Sequence, residues 1–270
     1  MKAFTLHFSY EFFAGLRNRT LLSMNYLMPI AFYGLMGGMM VELNPFLGEQ
    51  LIPAMVVFAV LTSAIMGLPT PLVEARENEV LRSYRVNGVP AGSLLGIPSL
   101  SAVPHMLVVV AIVTASAPVL FQSELPTNWL AYLGVLAMFV FASCGLGSLI
   151  GVISANSRVA VLWQQLAYLP SILLGGLMIP ADVLPVAFVR IGHLLPASYA
   201  MQTFLGGAYG RETLYAPLWG GLVLLAGGLM AYGLAFYLFS WDSRNDERRA
   251  PVLWAALALV PYLIGALFLV

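Results

Sequence analysis

Long apolar segments recur along this chain, and they restrict its fold more than any other feature. A helix that crosses a bilayer needs about 20 apolar residues, and in lipid only helices and closed barrels satisfy their own backbone polar groups. Charged residues make up only 9% of the chain, against about 25% in a soluble domain. The sequence therefore predicts an all-α, polytopic helical membrane protein with seven spans, at about residues 20–41, 51–72, 93–121, 129–153, 159–180, 218–240 and 251–270.

The first 19 residues differ from these segments. Large apolar side chains recur at every fourth position, and charged side chains lie elsewhere on the same helical wheel. This pattern predicts an amphipathic helix that lies in the membrane interface; the alternative is a merely aromatic leader. The residues that define it are Phe4, Phe8, Phe12 and Leu16 on the apolar side, with Lys2, Glu11 and Arg17 outside it.

The distribution of basic residues predicts the orientation. With the N-terminus in the cytoplasm of a cell-membrane protein, ten of the twelve Lys and Arg residues lie inside and only Arg190 and Arg211 lie outside. Seven spans then place the C-terminus outside. A hairpin in 251–270, broken at Pro261, is the alternative.

The outer connection at 181–217 is too hydrophobic for an ordinary solvated loop. We expect two short helices that enter the membrane part-way from outside, shielded by the rest of the protein.

The predicted spans contain no Asp, Glu, Lys or Arg, although ion-coupled transporters usually need such groups. His105 is the one titratable candidate near mid-membrane. It is either a proton or substrate contact or a neutral histidine bonded to a carbonyl that Pro104 leaves free. Lys2 is the only lysine and has no glycine-rich loop around it, so a Walker-type ATP site is excluded within this sequence.

Two other functions have weak support. The histidines His7, His105 and His193 are scattered, which disfavours a metal site. An intramembrane serine protease would use Ser148 with His193. However, Ser148 lies in a glycine-rich packing helix and His193 lies in the outer region.

A charged stretch at 73–90 interrupts the apolar pattern and holds six of the chain's 24 acidic and basic residues. Val73, Val80, Leu81 and Tyr84 share one helical face, which predicts a helix over 74–86. Asn87-Gly88 and Pro90 would end it, because glycine favours a left-handed cap and proline stops a helix. The helix is either a contact for a partner or a solvated connection between two spans.

Glycine pairs four residues apart let helices approach closely in lipid. Ordinary packing within the bundle is the interpretation for Gly34 with Gly38 and for Gly147 with Gly151.

Two motifs resemble the ABC-2 type transporter permeases. "EARENEVLRSYRVNGVPAGSLL" resembles that family's cytoplasmic connection between the second and third spans, with Glu79-Val80 in place of the usual Gly-Thr. "GGLMIPADVLPVAFVRIGHLLPASYAMQTFLGG" resembles the region after the fifth span. The matching residues are Glu77, Leu81, Arg82 and Pro90 in the first motif, and Gly176, Pro180, Leu184, Pro185, Leu195, Pro196, Ser198 and Tyr199 in the second.

This resemblance implies the ABC-2 (type V exporter-like) fold, with a core domain over 20–245 and an extra C-terminal segment over 246–270. It implies a non-enzymatic exporter subunit that pairs with an identical or related permease and with two ATPase subunits. ATP and Mg would bind those subunits, and no cofactor would bind this chain.

The resemblance also assigns roles to residues. The implied ATPase-coupling residues are Glu77, Glu79, Leu81, Arg82, Tyr84 and Arg85. The implied outer gate is Pro180, Pro185, Pro196 and Tyr199. The substrate path, between the second and fifth spans of two subunits, has Met28, Met55, Met66 and His105 as candidates.

The cargo implied is hydrophobic or amphipathic, such as a drug or lipid, and glycan export is the alternative. A stand-alone secondary transporter is the alternative from another class.

Overall fold

The computed structural model describes residues 2–43, 45–179, 183–241 and 252–269. These ranges are mostly helical and contain no strand, which confirms the predicted all-α class.

The described helices are named in chain order: α1 (Lys2–Arg17), α2 (Arg19–Leu22), α3 (Met28–Leu43), α4 (Pro45–Leu61), α5 (Pro69–Glu77), α6 (Val80–Val86), α7 (Ala91–Phe121), α8 (Trp129–Ile153), α9 (Ser157–Leu174), α10 (Val186–Gly192), α11 (Pro196–Thr203), α12 (Pro217–Leu238) and α13 (Val260–Phe268). Ser23–Leu27, Thr62–Gly67 and Phe204–Ala208 are π-helical, and Val252–Leu259 is a 3₁₀ helix.

Four described helical stretches are long and apolar enough to cross a membrane: Gln50–Glu77, Ala91–Phe121, Trp129–Ile153 and Pro217–Leu238. The other three predicted segments are also helical, in α2–α3, α9 and 252–268. The total of seven spans stays a prediction.

The second predicted span lies at the centre of the molecule. Every residue from Leu51 to Ile65 is buried, including Pro53 inside α4. α4 packs against α3, α7 and α11, and its π-helical continuation packs against α8. α8 in turn packs along α12.

The two glycine pairs have different surroundings. A methyl group on Gly147 would collide with the carbonyl of Ala64, and one on Gly151 would lie 3.0 Å from Leu72. These glycines therefore allow close packing between α8 and the second span, as predicted. Nothing in the described chain lies within 4 Å of such a group on Gly34 or Gly38, so packing within one bundle is the wrong explanation for that pair.

Helix α1 packs along α7. The Phe12 ring stacks on the His105 imidazole with 4.6 Å between ring centroids. Gly15 makes this approach possible, because a Cβ there would lie 2.8 Å from His105 Nε2. Phe12 therefore packs on α7, and the position of α1 in the membrane interface stays a prediction. The exposed apolar side chains of α1 include Leu6, Tyr10 and Phe13.

The C-terminal segment runs antiparallel to α12. Ala258 belongs to a cluster with Leu234 and Ala235, whereas Tyr262 meets Gly227, farther back along α12. The backbone stays helical through Pro261 and does not reverse there. Eight 3₁₀ and nine α-helical residues extend about 29 Å, close to the thickness of the hydrocarbon core. This geometry favours a span over a hairpin.

Candidate coupling site

Arg76, near the end of α5, is 5% exposed and holds the last turn of α8. Its guanidinium donates to the carbonyl of Val152 at 3.0 Å and to that of Gly151 at 3.4 Å, and it also donates to the carbonyl of Ser154. The last carbonyls of a helix have no partners within the helix and carry partial negative charge. Arg76 therefore caps α8 from a neighbouring helix.

Glu77, the next residue, binds the start of α9. Its carboxylate accepts a hydrogen bond from the Ser157 backbone N–H at 3.2 Å and another from the Ser157 hydroxyl. These hydrogen bonds, above all that of the hydroxyl, hold the pKa of Glu77 below its usual value. We call Arg76, Glu77 and their partners in 151–157 the clasp. The clasp joins the ends of the second, fourth and fifth predicted spans.

The predicted continuous helix over 74–86 is wrong. α5 ends at Glu77, and α6 begins at Val80. Between them Glu79 adopts a left-handed backbone with φ of 59°, which costs a non-glycine residue about 1–2 kcal/mol. The clasp fixes the end of α5, so the chain turns at residues 78–79 and α6 is a separate helix of two turns.

The predicted end of the helix is confirmed. Gly88 has φ of 74°. The Val89 N–H donates to the Tyr84 carbonyl at 3.0 Å, and the Gly88 N–H donates to the Arg85 carbonyl at 3.1 Å. This pair of hydrogen bonds is a Schellman motif, which ends α6 sharply.

The apolar face of α6 points into its own chain. Leu81 is 2% exposed, and the Tyr84 ring lies 6.0 Å from the His7 ring of α1. Burial, with smaller effects of Glu11 and Tyr10, raises the pKa of Tyr84. Leu81 is therefore unavailable as a docking contact for another protein, which corrects the prediction for that residue.

The opposite face of α6 is exposed, and we call it the loop face. It consists of Glu79, Val80, Arg82, Ser83, Arg85 and Val86. Val86 is the most exposed apolar member, at 83%. No ion pair between Glu79 and Arg82 occurs among the described residues.

The outer connection contains two short helices, as expected. Pro185 precedes α10, and Pro196 is the first residue of α11, positions where a missing N–H has no cost. Tyr199 is fully buried, and its hydroxyl donates to the Tyr262 carbonyl at 2.9 Å. Pro180 lies outside the described residues.

The serine protease alternative lacks its catalytic pair. The Ser148 hydroxyl lies 3.1 Å from that of Ser99, and His193 Nδ1 lies 2.8 Å from the Val189 carbonyl oxygen. Burial lowers the pKa of His193. Each residue has a local structural partner in place of the other.

The candidate path residues do not lie on one surface. Met28 is 44% exposed and Met66 is half-buried, whereas Met55 is 2% exposed inside the bundle. A side chain buried within one chain cannot line a path between two chains, so the prediction for Met55 is wrong.

His105 has a partner that the sequence did not indicate. Its Nδ1 lies 2.6 Å from the Tyr26 hydroxyl, and α7 continues unbroken through Pro104. The predicted bond to a released carbonyl is therefore wrong, while a role in substrate contact stays a prediction.

Sequence reasoning missed the clasp. Arg76 and Ser157 carry no motif of their own, and their spacing of about eighty residues gives no periodic signal. The cluster of acidic and basic residues around Arg76 stands out in the sequence. The partners of Arg76, however, are backbone carbonyl groups, and because every residue has one, the sequence does not indicate which of them it binds.

Comparison with known proteins gives a consistent result. The family model of the ABC-2 type transporter matches residues 2–209. YvfS of Bacillus subtilis (strain 168), whose name describes it as a transport permease, is 26% identical over 240 residues, which cover 86% of this chain and 93% of YvfS. Nodulation protein J of Rhizobium leguminosarum bv. viciae is 32% identical over 79 residues, 28% of this chain and 30% of that protein.

Proposed function

The chain belongs to the ABC-2 type transporter family, and from this premise we propose that it is the membrane subunit of an ATP-driven exporter. Two ATPase subunits on the cytoplasmic side bind ATP and Mg and supply the work. A second permease chain, identical or related, completes the membrane pathway. The protein lies in the cell membrane with a cytoplasmic N-terminus and an outer C-terminus.

The observation that supports this proposal most directly is the clasp. α6 follows α5 after a short turn, and the adjacent end of α5 is hydrogen-bonded to both α8 and α9. A force applied to α6 is therefore transmitted to three spans together. This is the mechanical connection that an external ATPase requires.

The loop face suits a protein partner. Arg82 and Arg85 provide positive charge, Glu79 provides negative charge, and Val86 provides an exposed apolar contact. Charges at the rim of an interface set orientation, whereas buried apolar contacts supply affinity. We assign docking to this face, and we assign Leu81 and Tyr84 to anchoring α6 on α1 and α5.

Two surfaces support pairing with a second permease. Gln165 is an exposed amide on α9, among the exposed side chains of Leu162, Leu166 and Leu169. A polar amide facing lipid favours a hydrogen bond to another helix. On α3, Gly34 and Gly38 offer an uncovered surface for close helix approach.

The cargo we propose is hydrophobic or amphipathic. Exposed Met28 and half-buried Met66 can adapt to apolar molecules of varied shape. The direction is outward, as the family resemblance implies.

Docking can be tested with two aspartate substitutions on the same short helix. The ATPase that co-purifies with the wild-type chain from native membranes is first identified by mass spectrometry. We expect Val86→Asp to reduce its recovery at least tenfold with unchanged thermal stability of the permease. Leu81→Asp should instead lower the apparent melting temperature of the permease alone, because it buries a charge.

Val183→Asp is the matched control, since Val183 is 69% exposed in the predicted outer connection. It should leave co-purification unchanged. Full recovery of the ATPase with Val86→Asp and with the further variant Arg85→Glu would contradict docking on the loop face.

A further inference from the structure

A cavity of about 360 Å³ lies within the single chain, between α1, α5, α6 and α7. Its mouth includes exposed Glu74 and Asn78, at the same end of the bundle as the loop face. It extends inward to Asn25, Ser63 and His105. This volume is within the range of sites for drug-sized molecules.

The deep end of the cavity lies where two π-helical stretches meet. Asn25 belongs to Ser23–Leu27 and Ser63 to Thr62–Gly67, and the Ser63 hydroxyl donates to Asn25 Oδ1 at 2.6 Å. Irregular π turns inside helices often mark functional sites. Here they bring a side-chain amide and a hydroxyl together at membrane depth.

One polar group at this end has no partner among the described residues. Asn25 is 6% exposed and lines the cavity, and its amide nitrogen has no hydrogen-bond acceptor in the described part of the chain. His105 is 2% exposed and lines the cavity as well. Buried polar groups are normally hydrogen-bonded, so an unpartnered amide facing a cavity points to a ligand.

The mouth of the cavity is acidic. Glu11 and Glu74 line it, and no Lys or Arg is among the lining residues of the described chain. The Glu11 side chain is 25% exposed, and its carboxylate lies 3.5 Å from the His7 imidazole Nε2. Burial raises the pKa of Glu11, an effect that His7 partly offsets. A cationic ligand beside this carboxyl would stabilise its ionised form.

We propose that this cavity binds an amphipathic amine within one subunit and is the cytoplasmic entry site for cargo. The ammonium group lies at Glu11 and Glu74, and the apolar body contacts Tyr10 and Tyr84. An acceptor oxygen of the ligand takes the Asn25 amide N–H. This proposal deepens the proposed export function and rests on it for the role of the site.

The same groups argue against other ligands. A phosphate or carboxylate would meet two carboxylates and no Lys or Arg side chain among the described lining residues, which is a repulsive arrangement. A neutral apolar molecule would leave the Asn25 amide nitrogen without a partner, and such burial is costly.

Binding can be measured without the ATPase. The purified chain in phosphatidylcholine nanodiscs is titrated with dansylcadaverine, a fluorescent primary amine with sulfonyl oxygens. The matched probe is its N-acetyl derivative, which has the same apolar body and no positive charge. We expect saturable binding of the amine and at least tenfold weaker binding of the acetyl derivative.

Two variants locate the site. Glu11→Gln should weaken binding of the amine at least tenfold, whereas Glu212→Gln, the same charge change on an exposed residue of the outer connection, should not. Ala14→Trp, which fills the cavity without changing charge, should also abolish binding. Melting curves confirm that each variant is folded.

Equal affinity for both probes, or unchanged affinity of the folded Glu11→Gln and Ala14→Trp variants, would overturn the proposal. These results do not depend on an ATPase. If binding behaves as expected but no ATPase docks on the loop face, the exporter assignment fails and the binding site remains.

Discussion

At the residue scale, the clasp depends on two adjacent side chains with opposite charges and different partners. Arginine is seldom buried without compensation, yet Arg76 is 5% exposed because three carbonyl groups at the end of α8 surround it. Glu77 caps the opposite kind of helix end. Its carboxylate accepts a hydrogen bond at the N-terminus of α9, where a negative charge is stabilising. Together they fix three helix ends with one dipeptide.

Arg76→Leu should destabilise the protein by roughly 2–4 kcal/mol, because it leaves buried carbonyl groups without donors. The measurement is thermal unfolding of the purified chain in detergent. Arg82→Leu is the control, since Arg82 is exposed in the same connection, and its effect should stay within about 0.5 kcal/mol. Equal melting temperatures for the two variants would show that Arg76 does not cap α8.

Glu77 gives a pH-dependent prediction. Its pKa is lowered in the folded protein, so its stabilising effect is complete above the usual carboxyl pKa, near 4.5, and is lost as the pH falls through the lowered value. The difference in melting temperature between wild type and Glu77→Gln should therefore be constant near neutral pH and shrink below about pH 4.5. A difference that grows on acidification would contradict the hydrogen bonds to Ser157.

At the element scale, α6 shows what the sequence could and could not predict. The spacing of Leu81 and Tyr84 correctly indicated one apolar face, and Asn87-Gly88 correctly indicated the end of the helix. The break at residues 78–79 was missed because Glu79 has no special preference for a left-handed backbone. The partner of the apolar face was also missed, because periodicity shows that a face is buried and not what covers it.

The same limit applies to the candidate path and to the second span. A run of apolar residues has the same sequence pattern whether it faces lipid, a second subunit or its own chain. Met55 and Met66 could therefore not be separated before the bundle was known. Asn25 and the adjacent pair Thr62 and Ser63 interrupt apolar runs, and they were the visible signal of the cavity.

The contact between α12 and the C-terminal segment gives a prediction for an element. Gly227→Ala should destabilise the protein by about 1–3 kcal/mol, because the new methyl group collides with the buried Tyr262 ring. Gly233→Ala, in the same helix with nothing within 4 Å, should be neutral or slightly stabilising. Thermal unfolding compares the two, and a neutral Gly227→Ala would contradict the packing of α13 on α12.

At the scale of the whole molecule, the described chain has the surfaces that the proposed half of a membrane pathway requires. The described chain buries its second span, leaves apolar faces of α3 and α9 uncovered, and presents a charged helix beyond the bundle. These features suit a permease that pairs with a second permease in lipid and with ATPase subunits outside it.

Pairing predicts a cross-link at α9. Gln165→Cys should be joined to a second permease chain by a short membrane-permeable bismaleimide, and mass spectrometry will show whether that chain is identical or related. Leu229→Cys, 65% exposed on α12, should not be cross-linked, and native Cys144 is buried. Cross-linking at Leu229 but not at Gln165 would move the interface to another face.

The central claim is that this chain performs no uphill transport by itself. The most direct test is accumulation of fluorescent amphipathic cargo in sealed liposomes that contain the purified chain, with or without its ATPase. The account predicts accumulation only when the ATPase and ATP are both present, and none under an imposed proton gradient alone. Accumulation by the isolated chain, driven by that gradient, would contradict it.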